Sequence, residues 1–281
     1  MEKMLIKDLM ANASERLKKA EVMDYVLDSR LLAEHVFHID YYKLLVHPDM
    51  EADVKNVELY NQLVEKRAMH VPLQYLTGNQ EFMGFNFRVN ENVLIPRQDT
   101  EILVEEAVKY INGKEQKIKV LDMCTGSGCI AVSIDKLCEN ARVVGTDISG
   151  KALEIAKINN EENDTRVNFI ESDLFENIKE RFDVIVSNPP YIESEEIEKL
   201  MPEVREFEPR IALDGTKDGL EFYRNICNNL SRYLKENGAV FFEIGYNQGV
   251  AVSRLLNEHG FEKVKVIKDY SQNDRVVFAL R

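Results

Sequence analysis

Val120-Leu121-Asp122-Met123-Cys124-Thr125-Gly126-Ser127-Gly128-Cys129-Ile130-Ala131 reads as a short apolar strand that enters a glycine turn and leaves it as a helix. Glycines at 126 and 128 let the backbone take positive φ and let a ligand approach without meeting a Cβ, while the helix that follows offers unpaired N–H groups. The stretch has the character of a nucleotide-cofactor loop. Beyond it, Arg142-Val143-Val144-Gly145-Thr146-Asp147 reads as the next strand, and its terminal carboxylate can accept hydrogen bonds from both hydroxyls of a ribose. Gly126-x-Gly128-x-x-Ala131 with Asp147 downstream also satisfies the dinucleotide fingerprint, so a NAD-binding dehydrogenase fits this half of the pattern too.

The following strands argue the other way. Val167-Asn168-Phe169-Ile170-Glu171-Ser172-Asp173 reads as a third strand closed by a carboxylate that can meet an adenine amine. A fourth, Phe182-Asp183-Val184-Ile185-Val186-Ser187, runs into Asn188-Pro189-Pro190-Tyr191. In an open α/β sheet the ligand crevice lies beyond the carboxyl ends of the strands, so a polar group there faces substrate. Prolines fix the backbone and leave free carbonyls. The Asn188 oxygen and the Pro189 carbonyl can then each accept one hydrogen of a planar NH2 group. An Asn-Pro pair by itself marks a turn as readily as a site. Here it shares one sheet edge with a glycine loop, a ribose acid and an adenine acid, and nothing in that set resembles a hydride-transfer site.

With these motifs the chain resembles, over essentially its whole length, the HemK/PrmC family of S-adenosylmethionine-dependent protein-glutamine N5-methyltransferases, whose substrates are the class 1 peptide-chain release factors. The resemblance also rests on Pro72-Leu73-Gln74-Tyr75-Leu76-Thr77-Gly78, Glu81-Phe82-Met83-Gly84, Leu94-Ile95-Pro96-Arg97-Gln98-Asp99-Thr100-Glu101, and Asp269-Tyr270 ahead of Asp274-Arg275. The segment around Ile95 to Glu101 is the most telling, because the glycine loop and Asn-Pro-Pro-Tyr occur in many amino-directed methyltransferases. The resemblance implies a seven-stranded Rossmann-like class I methyltransferase domain, preceded by a small helical bundle and a β-hairpin linker. It implies S-adenosylmethionine as cofactor, with S-adenosylhomocysteine as product, and a bundle that helps to recognise the release factor. The expected cofactor-contacting residues are Asp122, Cys124, Thr125, Gly126, Ser127, Gly128, Asp147, Asp173, Leu174 and Asn188; Asn188, Pro189 and Tyr191 are the expected catalytic set, with Pro190 and Arg97 joining them at the substrate. A ribosomal-protein glutamine methylase, an adenine-N6 nucleic-acid methylase and a non-catalytic cofactor-binding adaptor are the alternatives.

Two positions depart from the family pattern. The first position of the glycine loop, often Gly in the family, is Cys124, and Gln98 stands where proline is frequent. A cysteine held at positive φ costs on the order of 1 kcal/mol or more. The expectation is therefore an ordinary backbone at Cys124, with the tight turn carried by Gly126 and Gly128. No partner at ligand spacing makes Cys124 a metal site.

Composition narrows the function classes. At 281 residues, two domains are the natural prior. No apolar run approaches the roughly 20 residues that span a bilayer. Charged Glu2, Lys3, Lys7 and Asp8 do not suit the core of a signal peptide, so a cytoplasmic location is expected. The cysteines, at 124, 129, 138 and 227, form no CxxC pair and are expected as reduced thiols. A net charge of −13 with no basic stripe speaks against a nucleic-acid substrate, whose binding rests on phosphate contacts. Glu193, Glu195, Glu196, Glu198, Glu203, Glu206 and Glu208 would repel a phosphate backbone and favour a basic protein partner, although a solvated acidic face explains any one of them equally well.

The expected organisation is a helical bundle over residues 1–72, a hairpin linker over 73–98 and the methyltransferase domain over 99–281. Leu27, Leu31, Leu32, Val36 and Phe37 give the first part its helical period. His35 and His38 lie on one of those helices without a third ligand and are read as structural or exposed. Phe85 to Val89, after Gly84 and ahead of Asn90-Glu91-Asn92, reads as hairpin strand and turn. From Thr100 strand and helix alternate, which predicts a mainly parallel sheet with right-handed crossovers. Gly238 to Ile244 is the fifth strand, and Val264–Lys268 with Arg275–Leu280 should pair as an antiparallel hairpin at the sheet edge.

Overall fold

The computed structural model describes residues 4–281, which fall into two compact units: residues 4–78 with Met201–Phe207, and Asn79–Leu200 with Glu208–Arg281.

The first unit contains helices α1 (Ile6–Lys19), α2 (Tyr25–Phe37), α3 (Tyr41–Val46), α4 (Val54–Ala68) and α5 (Leu73–Thr77). Asp40 and Asp53 accept from the backbone N–H groups of Tyr42 and Lys55, capping α3 and α4 as short acidic side chains do at a helix start. Ile6, Ala13 and Leu17 of α1 pack with Leu32, Ala33 and Val36 of α2 and Tyr60, Leu63 and Val64 of α4. Arg67 is buried in this unit between Asp28 and Glu203, with N–O distances of 2.7 Å to each. Glu203 comes from a short helix within Met201–Phe207, so a segment far along the chain completes the unit's polar network.

The second unit opens with a two-stranded hairpin, β1 (Asn79–Phe82) and β2 (Phe85–Arg88), turning through Met83 and Gly84, both at positive φ. Then come α6 (Gln98–Asn112), β3 (Ile118–Met123), α7 (Cys129–Leu137), β4 (Ala141–Asp147), α8 (Gly150–Glu162), β5 (Asn168–Glu171) and β6 (Phe182–Ser187). After the glutamate-rich stretch and its short helices α9 (Ser194–Ile197) and α10 (Pro202–Phe207), the chain adds α11 (Glu221–Tyr233), β7 (Leu234–Glu243), α12 (Gly249–Glu258), β8 (Glu262–Lys268) and β9 (Asp274–Leu280). The seven-stranded sheet has the order β5-β4-β3-β6-β7-β9-β8, parallel except for β9, which runs antiparallel to both neighbours.

Alternation along each strand separates two cores. Val120, Val184, Val186, Ala239 and Phe241 face one side, with Leu103, Ala107 and Ile130 of α6 and α7. Leu121, Ile185, Val240 and Phe242 face the other, with Ile226 and Leu230 of α11 and Val252 of α12. This is a doubly wound α/β sheet. The strand order reverses between β3 and β6, where a crevice must open, and there Met123 pairs with Ser187.

Two expectations shift at their edges. β5 ends at Glu171, because the Ser172 hydroxyl donates to the Leu174 carbonyl and accepts from Asn177 N–H, curling Asp173 into a turn. β7 starts at Leu234, ahead of Gly238; Leu234 pairs with Phe182, and a register shift at Asn237, with φ 61°, restores pairing from Ala239 onward. The glutamate run is not a simple solvated face. Glu208 is buried and Glu203 is bonded to Arg67, while Glu196, Glu198 and Glu206 pair with Lys199, Arg210 and Arg205.

Candidate active site

The β3–α7 loop is built from its backbone outward. Thr125 N–H donates to Thr146 O at 2.9 Å, Gly126 N–H to Asp147 Oδ2 at 2.8 Å, and Gly128 N–H to Thr125 O at 2.8 Å. Gly126 has φ 54° and open space where a Cβ would stand; Gly128 has φ 79° and backs onto Ala156 and Phe169. One glycine leaves room for a ligand and the other for helix packing.

Cys124 overturns its expectation. Its φ is 61°, so the left-handed turn begins at the cysteine itself. For a side chain with a Cβ this costs about 1–2 kcal/mol, and the three loop hydrogen bonds hold the conformation regardless. Burial first, then the charges of Asp147 and Asp122, push the Cys124 thiol well above its ordinary value. It is a neutral thiol, with no thiolate character to act as nucleophile.

A cavity of about 320 Å³ opens over this loop. Cys124, Gly126, Asp147, Asp173, Leu174, Asn188 and Pro190 line it, together with Ile148, Phe222 and the Asn92–Leu94 segment. Asp122, Thr125, Ser127 and Gly128, expected at the cofactor, do not line it. Asp122 is completely buried under the loop, where its Oδ2 accepts from the Thr125 hydroxyl and from Ala131 N–H at 3.2 Å. Burial raises its pKa to about 7 against those two bonds. Thr125 and Ser127 are buried as well.

Asp147, at the end of β4, spends one oxygen on Gly126 N–H and the other on Ser149 N–H at 2.9 Å. Burial raises its pKa, and those N–H groups partly offset the rise. Each oxygen keeps a second lone pair for a ligand hydroxyl. Two carboxylates, an open glycine and an apolar wall of Leu174, Ile148 and Phe222 suit a ligand that carries hydroxyl groups, an amine and a flat ring.

Across the crevice, β6 delivers Asn188-Pro189-Pro190-Tyr191 beside the loop, and the Ser187 hydroxyl ties the two strand ends by donating to Met123 O at 2.7 Å. Pro189 and Pro190 are buried and Asn188 is half-buried. Asn188 Nδ2 donates to the Thr100 hydroxyl at 3.3 Å, which fixes the amide and turns Oδ1 to the other side. The Tyr191 carbonyl accepts from Gln248 Nε2 at 3.0 Å, and its hydroxyl lies 3.4 Å from Glu243 Oε1. Burial, then the Glu243 charge, raises the Tyr191 pKa, so the phenol stays protonated.

The segment Leu94 to Glu101 is fastened residue by residue. Ile95 N–H donates to Glu208 Oε2 at 3.3 Å, and the Arg97 guanidinium pairs with the same carboxylate. Asp99 bonds Arg275 at 2.9 Å, Thr100 holds Asn188, and Glu101 Oε1 accepts from Met83 N–H at 2.6 Å. Arg97, expected at the substrate, does not line the cavity; Glu208 holds its half-exposed side chain. Sequence reading missed Glu243 and Asn159, buried polar residues without a local motif, and took Glu208 only as one acid of the glutamate run, whereas it is buried.

Comparison with known proteins agrees with this geometry. The family model for the PrmC N-terminal domain matches residues 8–78, and that for the methyltransferase small domain matches residues 98–204. The chain is 41% identical over 283 residues to a release factor glutamine methyltransferase of Clostridium acetobutylicum, covering 99% of each chain, and 42% identical to that of Clostridium botulinum, covering 98% of this chain and 99% of the other. A methyltransferase structure from Pyrococcus furiosus shares the fold at a TM-score of 0.54 and 17% identity, over 71% of this chain and 90% of that one. Identity of this order over the full length, on a sheet that carries both the cofactor loop and Asn188-Pro189-Pro190-Tyr191, places the chain in the release factor glutamine methyltransferase family.

Proposed function

We propose that this chain transfers a methyl group from S-adenosylmethionine to the side-chain amide nitrogen (N5) of the glutamine in the Gly-Gly-Gln motif of class 1 peptide-chain release factors. The observation that carries the reading is the Asn188 amide, whose nitrogen is bonded to Thr100 so that its oxygen is left as an acceptor at the cavity, beside the loop after β3. When bound, S-adenosylmethionine supplies an electrophilic methyl group on a positively charged sulfur.

A carboxamide nitrogen is a weak nucleophile, because its lone pair is delocalised into the carbonyl. Asn188 Oδ1 and the Pro189 carbonyl accept its two hydrogens, polarise the nitrogen and aim it at the methyl carbon. Alignment of this kind contributes several kcal/mol, up to about 7–11 in ideal cases. The same acceptors stabilise positive charge growing on nitrogen in the transition state. Tyr191 packs against the planar amide and limits water, and the cationic N-methylated amide formed on transfer, far more acidic than its parent, then releases one of its two hydrogens as a proton to water. Asp147 and Asp173 hold the cofactor's hydroxyl and amine groups. Asp122, Thr125, Ser127 and Gly128 act one step back, by shaping the loop.

The bundle of the first unit helps to recognise the release factor, and the excess of acid, −13 overall, suits a basic protein partner. Among the described residues no helix is long and apolar enough to cross a membrane. The test is transfer of labelled methyl to purified release factor, with the Gly-Gly-Gln glutamine replaced in a parallel sample. Label confined to the intact factor is the expected result; label appearing only on ribosomal protein or nucleic acid would remove the substrate. Asn188→Ala is expected to lower turnover by about 10²–10³-fold while cofactor binding persists.

A further inference from the structure

A turn built on Pro189 and Pro190 cannot be anchored from within. Neither ring nitrogen has a hydrogen to donate; ring closure fixes φ, and a following proline only confines ψ to the extended range. The direction of the Pro189 carbonyl therefore depends on what holds the chain on either side. The near end is tied twice, through the Ser187 hydroxyl to Met123 O at 2.7 Å and through Asn188 to Thr100 at 3.3 Å. The far end is tied at Tyr191, and the side chain that takes its carbonyl is Gln248.

Gln248 stands at the start of α12, yet its side chain makes no capping bond to that helix. It is buried, and both ends of its amide are spent on backbone. Nε2 donates to the carbonyls of Tyr191 at 3.0 Å and Gly219 at 3.2 Å, while Oε1 accepts from Gly245 N–H at 2.9 Å. These partners settle which end is nitrogen, since a half-turn of the amide would set oxygen against two carbonyls and nitrogen against an N–H. Gly219, with φ 68°, comes so close that a Cβ there would stand 2.3 Å from Tyr191 O and 2.6 Å from Gln248 Nε2. A Cβ on Gly215 would stand 2.7 Å from Tyr191 Cα. Just beyond, Ile192 N–H donates to Leu213 O at 3.0 Å and Ile192 O accepts from Gly215 N–H at 2.8 Å. Two glycines thus bring residues 213–219 against Tyr191, and one amide locks its carbonyl there.

We propose that Gln248 is a positioning residue for methyl transfer, which fixes the Tyr191 carbonyl and through it the aim of the Pro189 carbonyl and the Tyr191 ring at the acceptor amide. Gln248 does not line the cavity, so it acts only through the tetrapeptide. The pairing of Ile192 with Leu213 and Gly215 does not depend on it, so the chain stays in place when the amide is lost and only the set of the turn is released. The cofactor loop is held by its own bonds at Thr125, Gly126 and Gly128, none of which involves Gln248. Loss of the amide therefore separates acceptor alignment from cofactor binding.

The inference rests on the proposed glutamine methylation, and the experiment separates the two. Methyl transfer to release factor is followed for the parent chain and for Gln248→Met, Gly219→Ala and Asn140→Leu, per mole of bound S-adenosylmethionine, with KM for the factor and the cofactor dissociation constant measured alongside. Asn140 is the control: its amide also ties backbone carbonyls, those of Ile111, Lys114 and Gln116, but at the amino ends of the strands, opposite the ligand edge. A parent chain that leaves release factor unlabelled defeats the proposed function. With an active parent, Gln248→Met, similar in size but without donors, is expected to lose about 10–100-fold in kcat, the scale of a misplacement near 1 Å. KM and the cofactor dissociation constant should each stay within about 3-fold, the mark of an interaction expressed in the transition state. Gly219→Ala, which pushes the same carbonyl instead of releasing it, should show the same split, and Asn140→Leu should keep the parent kcat. Parent-like kcat in Gln248→Met, a loss matched by the cofactor dissociation constant, or an equal loss in Asn140→Leu overturns the inference. Should Gln248→Met not fold, parent-like kcat in Gly219→Ala does the same, and failure of both to fold makes Gln248 a residue of the fold alone, which also overturns it.

Discussion

At the scale of single residues, the site turns on where a few side chains send their hydrogens and on one backbone angle. Asp147 and Asn188 stand out in the sequence because each closes an apolar strand, where position alone implies exposure to the crevice, and both line the cavity. Cys124 was misread because nothing in a sequence marks a non-glycine residue for positive φ; the conformation comes from the hydrogen bonds of Thr125, Gly126 and Gly128 around it. Thr100 stood in a recognised motif without a part of its own, and the structure adds its 3.3 Å contact with Asn188. The Cys124 angle has a testable consequence. In ordinary backbone, glycine to alanine stabilises by about 0.4–1 kcal/mol, because the unfolded chain has less freedom to lose. At φ 61° the order reverses, since alanine keeps the left-handed strain and glycine does not. Both substitutions remove the thiol, so its packing cancels in the comparison. Cys124→Gly is expected to be more stable than Cys124→Ala by about 1 kcal/mol in urea unfolding, and the opposite order would mean that the loop adopts a right-handed backbone at this position.

At the scale of elements, the strands were legible because buried parallel strands read as continuous apolar runs, as in Val120–Leu121 and Val184–Val186. The place of β9, between β7 and β8, was less so: a sequence gives a terminal hairpin without saying which arm joins the sheet. Least legible were the ties between elements, and Asn159 of α8 is the clearest case. Its side chain is wholly buried and accepts from Arg88 N–H at 2.6 Å while donating to Arg88 O at 3.1 Å and Ser127 O at 2.8 Å. One amide thus joins the end of the hairpin, the helix α8 and the cofactor loop. Removing it strands buried backbone groups, each of which costs about 1–3 kcal/mol when unsatisfied. Asn159→Ala is expected to destabilise the second unit by about 2–4 kcal/mol. Asn159→Asp keeps the acceptor for Arg88 N–H but cannot donate to either carbonyl, so a large part of that loss should remain. Because Ser127 belongs to the loop, both variants should also bind S-adenosylmethionine more weakly, as read by calorimetric titration on the folded fraction. Unchanged stability and affinity in Asn159→Asp would show that the donated bonds do no positioning.

At the scale of the whole molecule, the sheet gathers acids. The strand order brings the ends of β3, β4, β6 and β7 to one edge, where Asp122 and Glu243 are buried and Asp147 is half-buried at the cavity. Under the proposed function Asp147 would hold the cofactor's hydroxyls at that edge, and buried acids are costly to fold in their charged form. The cost shows in titration. Burial raises Glu243 from 4.5 to about 7 and Asp122 from 3.8 to about 7. A carboxyl whose folded value lies above its unfolded value holds its proton more tightly when folded. Its contribution to stability is full below about pH 4 and is lost as pH rises toward 7. For Glu243 alone the difference corresponds to about 3 kcal/mol. Asp28 and Asp147 are raised as well, which adds to the fall, whereas His35, lowered by its burial, opposes it only below pH 6.5. Asp214, Asp218 and Asp269 have depressed values and act below the ordinary carboxylate range, outside this window. Thermal stability should therefore decline between pH 5 and about 7.5 and then level, against the usual expectation of a broad maximum between about pH 5 and 8. Glu243→Gln, neutral at every pH, should be less sensitive than the parent across that interval, and scanning calorimetry of the two chains at matched ionic strength decides it. Parallel curves for parent and variant would mean that Glu243 titrates near its unfolded value, and that the site carries its charge without cost to the fold.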